Sequence, residues 1–135
     1  MILGLSSLVK GQGVYTITNN SAYYVDIVVR VATDANQCVF YMGLPTTTYG
    51  PFSLSPSSCL FPTNSSISIG SNDWVYQVEI YEESNCLTAC SGSTGSTSLV
   101  AVLQPCSQNP DNASWSNCVS GSTASADLTS FCTIN

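Results

Sequence analysis

Apolar and polar residues alternate along this chain with a period of two. In Tyr23-Tyr24-Val25-Asp26-Ile27-Val28-Val29-Arg30-Val31 the odd positions are Tyr, Val, Ile, Val and Val, while Asp26 and Arg30 take even ones. Successive side chains of a strand point to opposite faces, so this is a half-buried strand with Asp26 and Arg30 on its wet face. Residues 74–82 repeat the pattern, with Trp74, Tyr76, Val78 and Ile80 predicted to face in and Gln77 and Glu79 out. The two stretches are expected to lie opposite each other, as the two inner faces of one fold.

Shorter strands are predicted over residues 14–18, 38–42, 46–49 (an edge), 66–69, 99–103 and 128–134. The first of these ends at an Asn19-Asn20-Ser21 turn. Residues 91–98 and 107–126 read as polar loops. No stretch carries apolar residues at helical spacing over three turns. The expected fold is all-β: a single antiparallel β-sandwich or jelly-roll-like domain, stapled by disulfides, with an N-terminal extension strand.

That extension is MILGLSSLVKGQG. Ile2, Leu3, Leu5, Leu8 and Val9 are apolar, and Gly11 and Gly13 form a joint after Lys10. Residues 1–13 are therefore set apart as an apolar strand and glycine hinge, and residues 14–135 as the sandwich domain. A signal peptide carries a basic segment before its apolar run; here no Lys or Arg precedes Ile2, so the segment is no signal or the remnant of one. It either pairs within its own sheet or is a strand donated to a neighbouring subunit.

Composition narrows the partners. The net charge of −6 repels phosphate backbones, which excludes nucleic acid as the expected partner. No apolar run approaches the ~20 residues of a membrane helix, so no membrane span is expected. Charged residues make up only 7% of the chain. Few charges mean few desolvation costs when subunits pack side by side. Seven cysteines (Cys38, Cys59, Cys86, Cys90, Cys106, Cys118 and Cys132) without a histidine read as disulfide candidates in an oxidising compartment, with one left over. Sequons at Asn19, Asn64 and Asn112 are candidate glycosylation sites.

Candidate chemistry is sparse. Without histidine, a Ser-His-Asp or Cys-His site is excluded, and no catalytic residue, metal site or cofactor is expected. Glu79 paired with Asp73 or Glu82 is a conceivable carboxylate pair, set against a solvated strand face. Residues 109–112, Asn-Pro-Asp-Asn, read as a turn ahead of a calcium loop. Tyr15, Tyr24, Tyr81 and Trp115 are a conceivable sugar-stacking platform, with Trp115 the best exposed. The run TITNNSAYYVDI is similar, over about a dozen residues, to the first strand pair of thaumatin-like proteins. Those proteins are longer and richer in cysteine, and no residue role is carried over.

The chain is thus expected to be no enzyme but a structural subunit of an extracellular filament. Polymerisation would run head-to-tail, each subunit's residues 2–9 completing the next subunit's sheet. The alternatives are a virion coat or surface protein and a secreted glycan-binding module. Expected partners are identical subunits and covalent glycans, at the cell or virion surface.

Overall fold

The computed structural model describes residues 13–21, 23–33, 46–55, 63–70, 73–85, 98–105, 110–116 and 121–135. They form nine strands: β1 (Gly13–Asn19), β2 (Tyr23–Thr33), β3 (Thr46–Leu54), β4 (Asn64–Ile69), β5 (Asp73–Asn85), β6 (Ser98–Leu103), β7 (Asp111–Ser116), β8 (Gly121–Ala126) and β9 (Phe131–Ile134). No helix occurs among the described residues. The strands make a five-stranded sheet in the order β4-β1-β9-β8-β7 and a four-stranded sheet in the order β3-β2-β5-β6.

The core lies between the sheets. Tyr15, Ile17, Ile67, Ile69, Ala124, Ala126, Cys132 and Ile134 come from the first sheet; Val25, Ile27, Val29, Val31, Leu54, Val75, Val78, Ile80, Ala101 and Leu103 come from the second. Burying a Val, Leu or Ile side chain fully contributes about 1.5–3 kcal/mol before entropy is counted. The period-two pattern is the cause of this arrangement, because it gives each sheet one continuous apolar face.

Four features depart from the expectation. β2 and β5 are neighbours in one sheet, with Ile27 beside Ile80 and Val29 beside Val78, rather than partners across the core. Alternation identifies a buried face but not the sheet it belongs to. Tyr76 is only half-buried, and Val75 takes the inward place with no exposure at all. The cause is a bulge: Gln77 pairs with Arg30 and Val75 with Val31, so Tyr76 is the extra residue and the facing flips there. The stretch 107–126 is not all loop but contains β7 and β8, paired from Asp111–Ala126 to Ser116–Gly121. Finally, β1 and β9 run parallel, the one such pair among otherwise antiparallel ladders of the described residues. The strand expected over residues 38–42 lies outside the described residues.

Two polar knots hold the layers together. At the crossing from β1 to β2, the buried Asn19 carboxamide donates through Nδ2 to the carbonyls of Tyr23 (2.8 Å), Ser55 (3.1 Å) and Leu54 (3.3 Å). Two hydrogens serve three acceptors, so one is shared. Its Oδ1 accepts from the Ser21 amide (3.0 Å) and hydroxyl (2.6 Å). Asn19 thus joins β1 of one sheet to β2 and β3 of the other. In the β8–β9 turn, Asp127 Oδ1 accepts from the amides of Thr129, Ser130 and Phe131 at 3.2, 2.6 and 2.8 Å. The Leu128 carbonyl in the same turn accepts from the Val75 amide of β5 at 2.9 Å. The Tyr15 hydroxyl, otherwise buried in the core, donates to the Asp127 carbonyl at 3.0 Å.

Replacing Asn19 by Ala strands buried carbonyls at the crossing, at ~1–3 kcal/mol for each group left without a partner. We expect Asn19→Ala to lower stability by about 3 kcal/mol in urea unfolding. Asn19→Asp should cost more at neutral pH, because a carboxylate oxygen then faces the carbonyls that Nδ2 served. An Asn19→Ala variant unfolding at the wild-type midpoint would show that the crossing is held elsewhere.

Candidate functional site

Strand edges and one sheet face carry the chemistry of this molecule. Among the described residues four strands end the two sheets: β4 and β7 in one, β3 and β6 in the other. An edge presents unpaired backbone groups, and proteins blunt it with charge, proline, bulges or cover. β3 contains Pro51, and Gly50 before it has a φ of +102°, where a Cβ would stand 2.5 Å from the Ile27 carbonyl oxygen. β2 bulges opposite this point, between Ile27 and Val29. β4 and β7 present exposed Asn64, Ser66 and Ser68, and Asn112, Ser114 and Ser116. β6, Ser-Leu-Val-Ala-Val-Leu, has neither proline nor charge. Its inward Ala101 and Leu103 are buried, while Leu99 and Val102 are 51% and 39% exposed. β6 is therefore apolar on both faces and pairs, among the described residues, with β5 alone.

The outer face of the same sheet carries a row of polar groups. Arg30 on β2 grips Glu79 Oε1 on β5 through Nη2 at 2.7 Å and Nε at 2.9 Å. Its Nη1 donates to Thr48 Oγ1 on β3 at 3.1 Å. The Tyr81 hydroxyl donates to Glu79 Oε2 at 2.5 Å. These contacts hold the Glu79 carboxyl below the usual range, the Tyr81 hydrogen bond first and Arg30 after it. The same bond pushes the Tyr81 phenol up. Asp26 shares this face, directly beside Tyr81 in the ladder.

Glu82 behaves differently. It pairs with inward-facing Val25, so its carboxylate turns toward the space between the sheets. There Oε2 accepts from the Trp115 indole of β7 at 2.7 Å. Burial pushes its pKa up, and the indole bond only partly offsets this. Asp73 is elsewhere again, accepting from Thr33 Oγ1 (2.8 Å) and the Gly70 amide (2.7 Å). Glu79, Asp73 and Glu82 are thus placed apart, on an outer face, a strand start and the inner layer. Among the described residues no group of three or more acids or cysteines is placed to hold a metal ion. Asp111 opens β7, where Oδ2 accepts from the Gln104 amide (2.6 Å) and Oδ1 from the Asn112 amide (2.9 Å).

The aromatic platform does not assemble. Tyr15 is fully buried, with burial pushing its phenol up, and Trp115 packs on the core with its indole committed to Glu82. Of the sequons, Asn64 and Asn112 are exposed at strand starts, whereas Asn19 is buried with Nδ2 in three contacts that a sugar would displace. Cys132 is a free, fully buried thiol on β9, pushed up to about 12 by burial. Gly13, read as part of a joint, is the first residue of β1 and pairs with Ile69. Ile2, Leu3, Leu5, Leu8, Val9, Gly11 and the other six cysteines lie outside the described residues. What sequence reasoning missed is the inward turn of Glu82; its signal was the alternation itself, since Glu82 continues the even series of Val78 and Ile80.

Comparison with protein-family models, curated proteins and solved structures returns no match to this chain.

The Glu82 carboxyl supplies a pH-dependent prediction. Its folded-state pKa lies above the unfolded one, so its favourable share of stability is present at low pH and lost as pH rises through the folded value. Glu82→Gln keeps an acceptor for Trp115 and removes the charge. The variant should melt higher than wild type at pH 7, with the gap closing by about pH 4, near the ordinary carboxylate pKa. A gap that grows on acidification would reverse the sign assigned here.

Proposed function

We propose that this chain is a structural subunit of an extracellular filament, polymerised by strand addition between copies. The observation that carries the reading is β6. Among the described residues it is a sheet edge with no proline and no charge, and its Leu99 and Val102 side chains are exposed and apolar. Such an edge is an aggregation hazard in a protein that stays alone. It is useful to one whose neighbour supplies a strand, because backbone hydrogen bonds then continue the sheet and side chains cover the apolar rim.

The strand supplied is residues 2–9 of the next copy, where Ile2, Leu3, Leu5, Leu8 and Val9 offer apolar side chains on both faces. Both faces of β6 are apolar too, so the two segments match in character. Donation is head-to-tail and does not close on itself, which gives a fibre rather than a dimer. The low charge content limits what desolvation costs at each contact. With Cys132 buried and free, the other six cysteines are an even number. Pairing among them would staple the domain in an oxidising setting. Exposed Asn64 and Asn112 are the sequons open to glycans.

Electron microscopy and sedimentation of the pure protein test this directly. The full chain should polymerise, and deletion of residues 1–10 should leave monomers. Leu99→Lys/Val102→Lys places two charges on the β6 rim without touching the core. Surface changes of this kind stay within about 0.5 kcal/mol in stability, so the variant should fold but fail to polymerise. Fibres that form unchanged from the truncated chain would end the proposal.

A further inference from the structure

Among the described residues, the outward strand positions of the five-stranded sheet carry no charge. The ladders set Asn64, Thr18, Thr133, Ser125 and Asn112 side by side in one row, one residue from each of β4, β1, β9, β8 and β7. Ile17, Cys132 and Ala126, next to three of them in sequence, are buried, so the row faces outward. A second row runs beside the first. Thr123 and Asn135 exchange backbone hydrogen bonds at 3.0 and 2.8 Å, and Ser114 pairs with Thr123. Asn20 Nδ2 donates to Asn135 Oδ1 at 3.3 Å.

Where the two rows meet β7 and β8 there is an open depression of about 410 Å³, bounded by Asn112, Ser114, Thr123, Ser125 and Asn135. Small-ligand clefts measure ~300–1,000 Å³. All five side chains end in a hydroxyl or a carboxamide, groups that both donate and accept hydrogen bonds. With no charge among them, nothing here selects an ion. An apolar occupant would strip water from these groups without replacing its hydrogen bonds. A neutral sugar, whose hydroxyls also donate and accept, answers them in kind.

The chain offers its own attachment point for such a sugar. Asn64-Ser65-Ser66 and Asn112-Ala113-Ser114 are sequons. Their asparagines are the two ends of the first row, exposed on the edge strands β4 and β7. Four strand spacings separate them, about 19 Å. Asn112 and the Ser114 of its sequon both stand on the rim of the depression. Glycan transfer from a lipid-linked glycosyl diphosphate forms a bond from Asn112 Nδ2 to the anomeric carbon. The bond from that carbon to the diphosphate oxygen breaks, the diphosphate leaves with the electron pair, and Nδ2 gives one proton to the transferase.

We propose that the first sugars of a glycan on Asn112 lie in this depression, so that the outer face of the five-stranded sheet is the bed of the protein's own glycan. The inference rests on the reading of Asn64 and Asn112 as glycan carriers and is independent of polymerisation. The bed orders the sugars nearest the chain, and the glycan then covers β7, an edge of its sheet. The row leads from Asn112 over Ser125 and Thr133 toward Asn64, so the face between the two carriers is hydroxylated from end to end.

Two measurements separate the bed from the carriers. In the first, the full chain is made through the secretory pathway of a eukaryotic cell and its glycans are released by a peptide N-glycosidase in isotopically heavy water, which marks each former carrier as aspartate. Marks at Asn64 and Asn112 and none at Asn19 are expected. An unmarked Asn112 would overturn the carrier reading and the bed with it. In the second, the intact glycoprotein is made with isotope-labelled sugars, and NMR cross-relaxation is recorded between sugar protons and the Thr123 methyl group. Contacts are expected in the full chain. They should vanish in Ser114→Ala, which removes the Asn112 sequon and keeps that of Asn64. They should also be lost in Ser125→Glu, which fills the depression and leaves the sequon intact. A marked Asn112 whose sugars make no contact with Thr123 would leave the carrier standing and overturn the bed. Contacts that persist unchanged in Ser125→Glu would overturn the depression as their place, and contacts that persist in Ser114→Ala would overturn Asn112 as their source.

Discussion

Everything in this sandwich depends on one crossing. Between β1 and β2 the chain leaves one sheet and enters the other, and its backbone passes where water cannot satisfy it. The Asn19 carboxamide solves this with a single planar group, donating to three carbonyls while accepting from Ser21. An aliphatic residue would leave the same corner unsatisfied. Since the acceptors sit on β2 and at the end of β3, the group also ties the second sheet to the first. The Asp127 turn performs the matching task elsewhere, gathering three amides on one oxygen while its neighbour Leu128 takes the Val75 amide. Between these two knots the apolar faces have little freedom left.

The electrostatics follow from the same economy. Among the described residues, Arg30, Glu79, Glu82, Asp73, Asp111 and Asp127 each have specific partners. Arg30 and Glu79 close on each other on a wet face, where an exposed pair is worth at most about 1 kcal/mol. Its effect is therefore geometric, ordering Thr48, Glu79 and Tyr81 across three strands. Glu82 is the opposite case. It turns inward and leans on the Trp115 indole, so it bridges the sheets at some cost in desolvation. Outer and inner carboxylates on one strand thus have pKa values moved in opposite directions by their surroundings.

Most of the framework was legible because β2 and β5 carry strong alternation, and alternation is a direct consequence of strand geometry. The hairpin of β7 and β8 was not, because its inward residues are Ala113, Trp115, Ser122, Ala124 and Ala126. Alanine and serine barely differ from the polar residues between them, so the period is present but faint. The Tyr76 bulge was hidden for another reason: Trp-Val-Tyr offers three large apolar residues, and only pairing with β2 decides which one is extra. Asn19 was readable as a turn but not as a knot, since its partners at Leu54 and Ser55 lie far off in sequence. The edge character of β6 was hidden as well: strand order is a property of the sheet, and no local pattern declares it.

The position of Cys132 has a consequence for how such material would age. A thiol whose pKa is about 12 is almost wholly protonated at neutral pH, and only the thiolate attacks disulfides. Sealed inside β9, it neither reshuffles bridges within its own molecule nor welds one molecule to the next. Any cohesion between folded copies then excludes this sulfur. Oxidants would find Cys132 only when the two layers part, so its alkylation by a passing reagent serves as a clock for the opening of the whole domain.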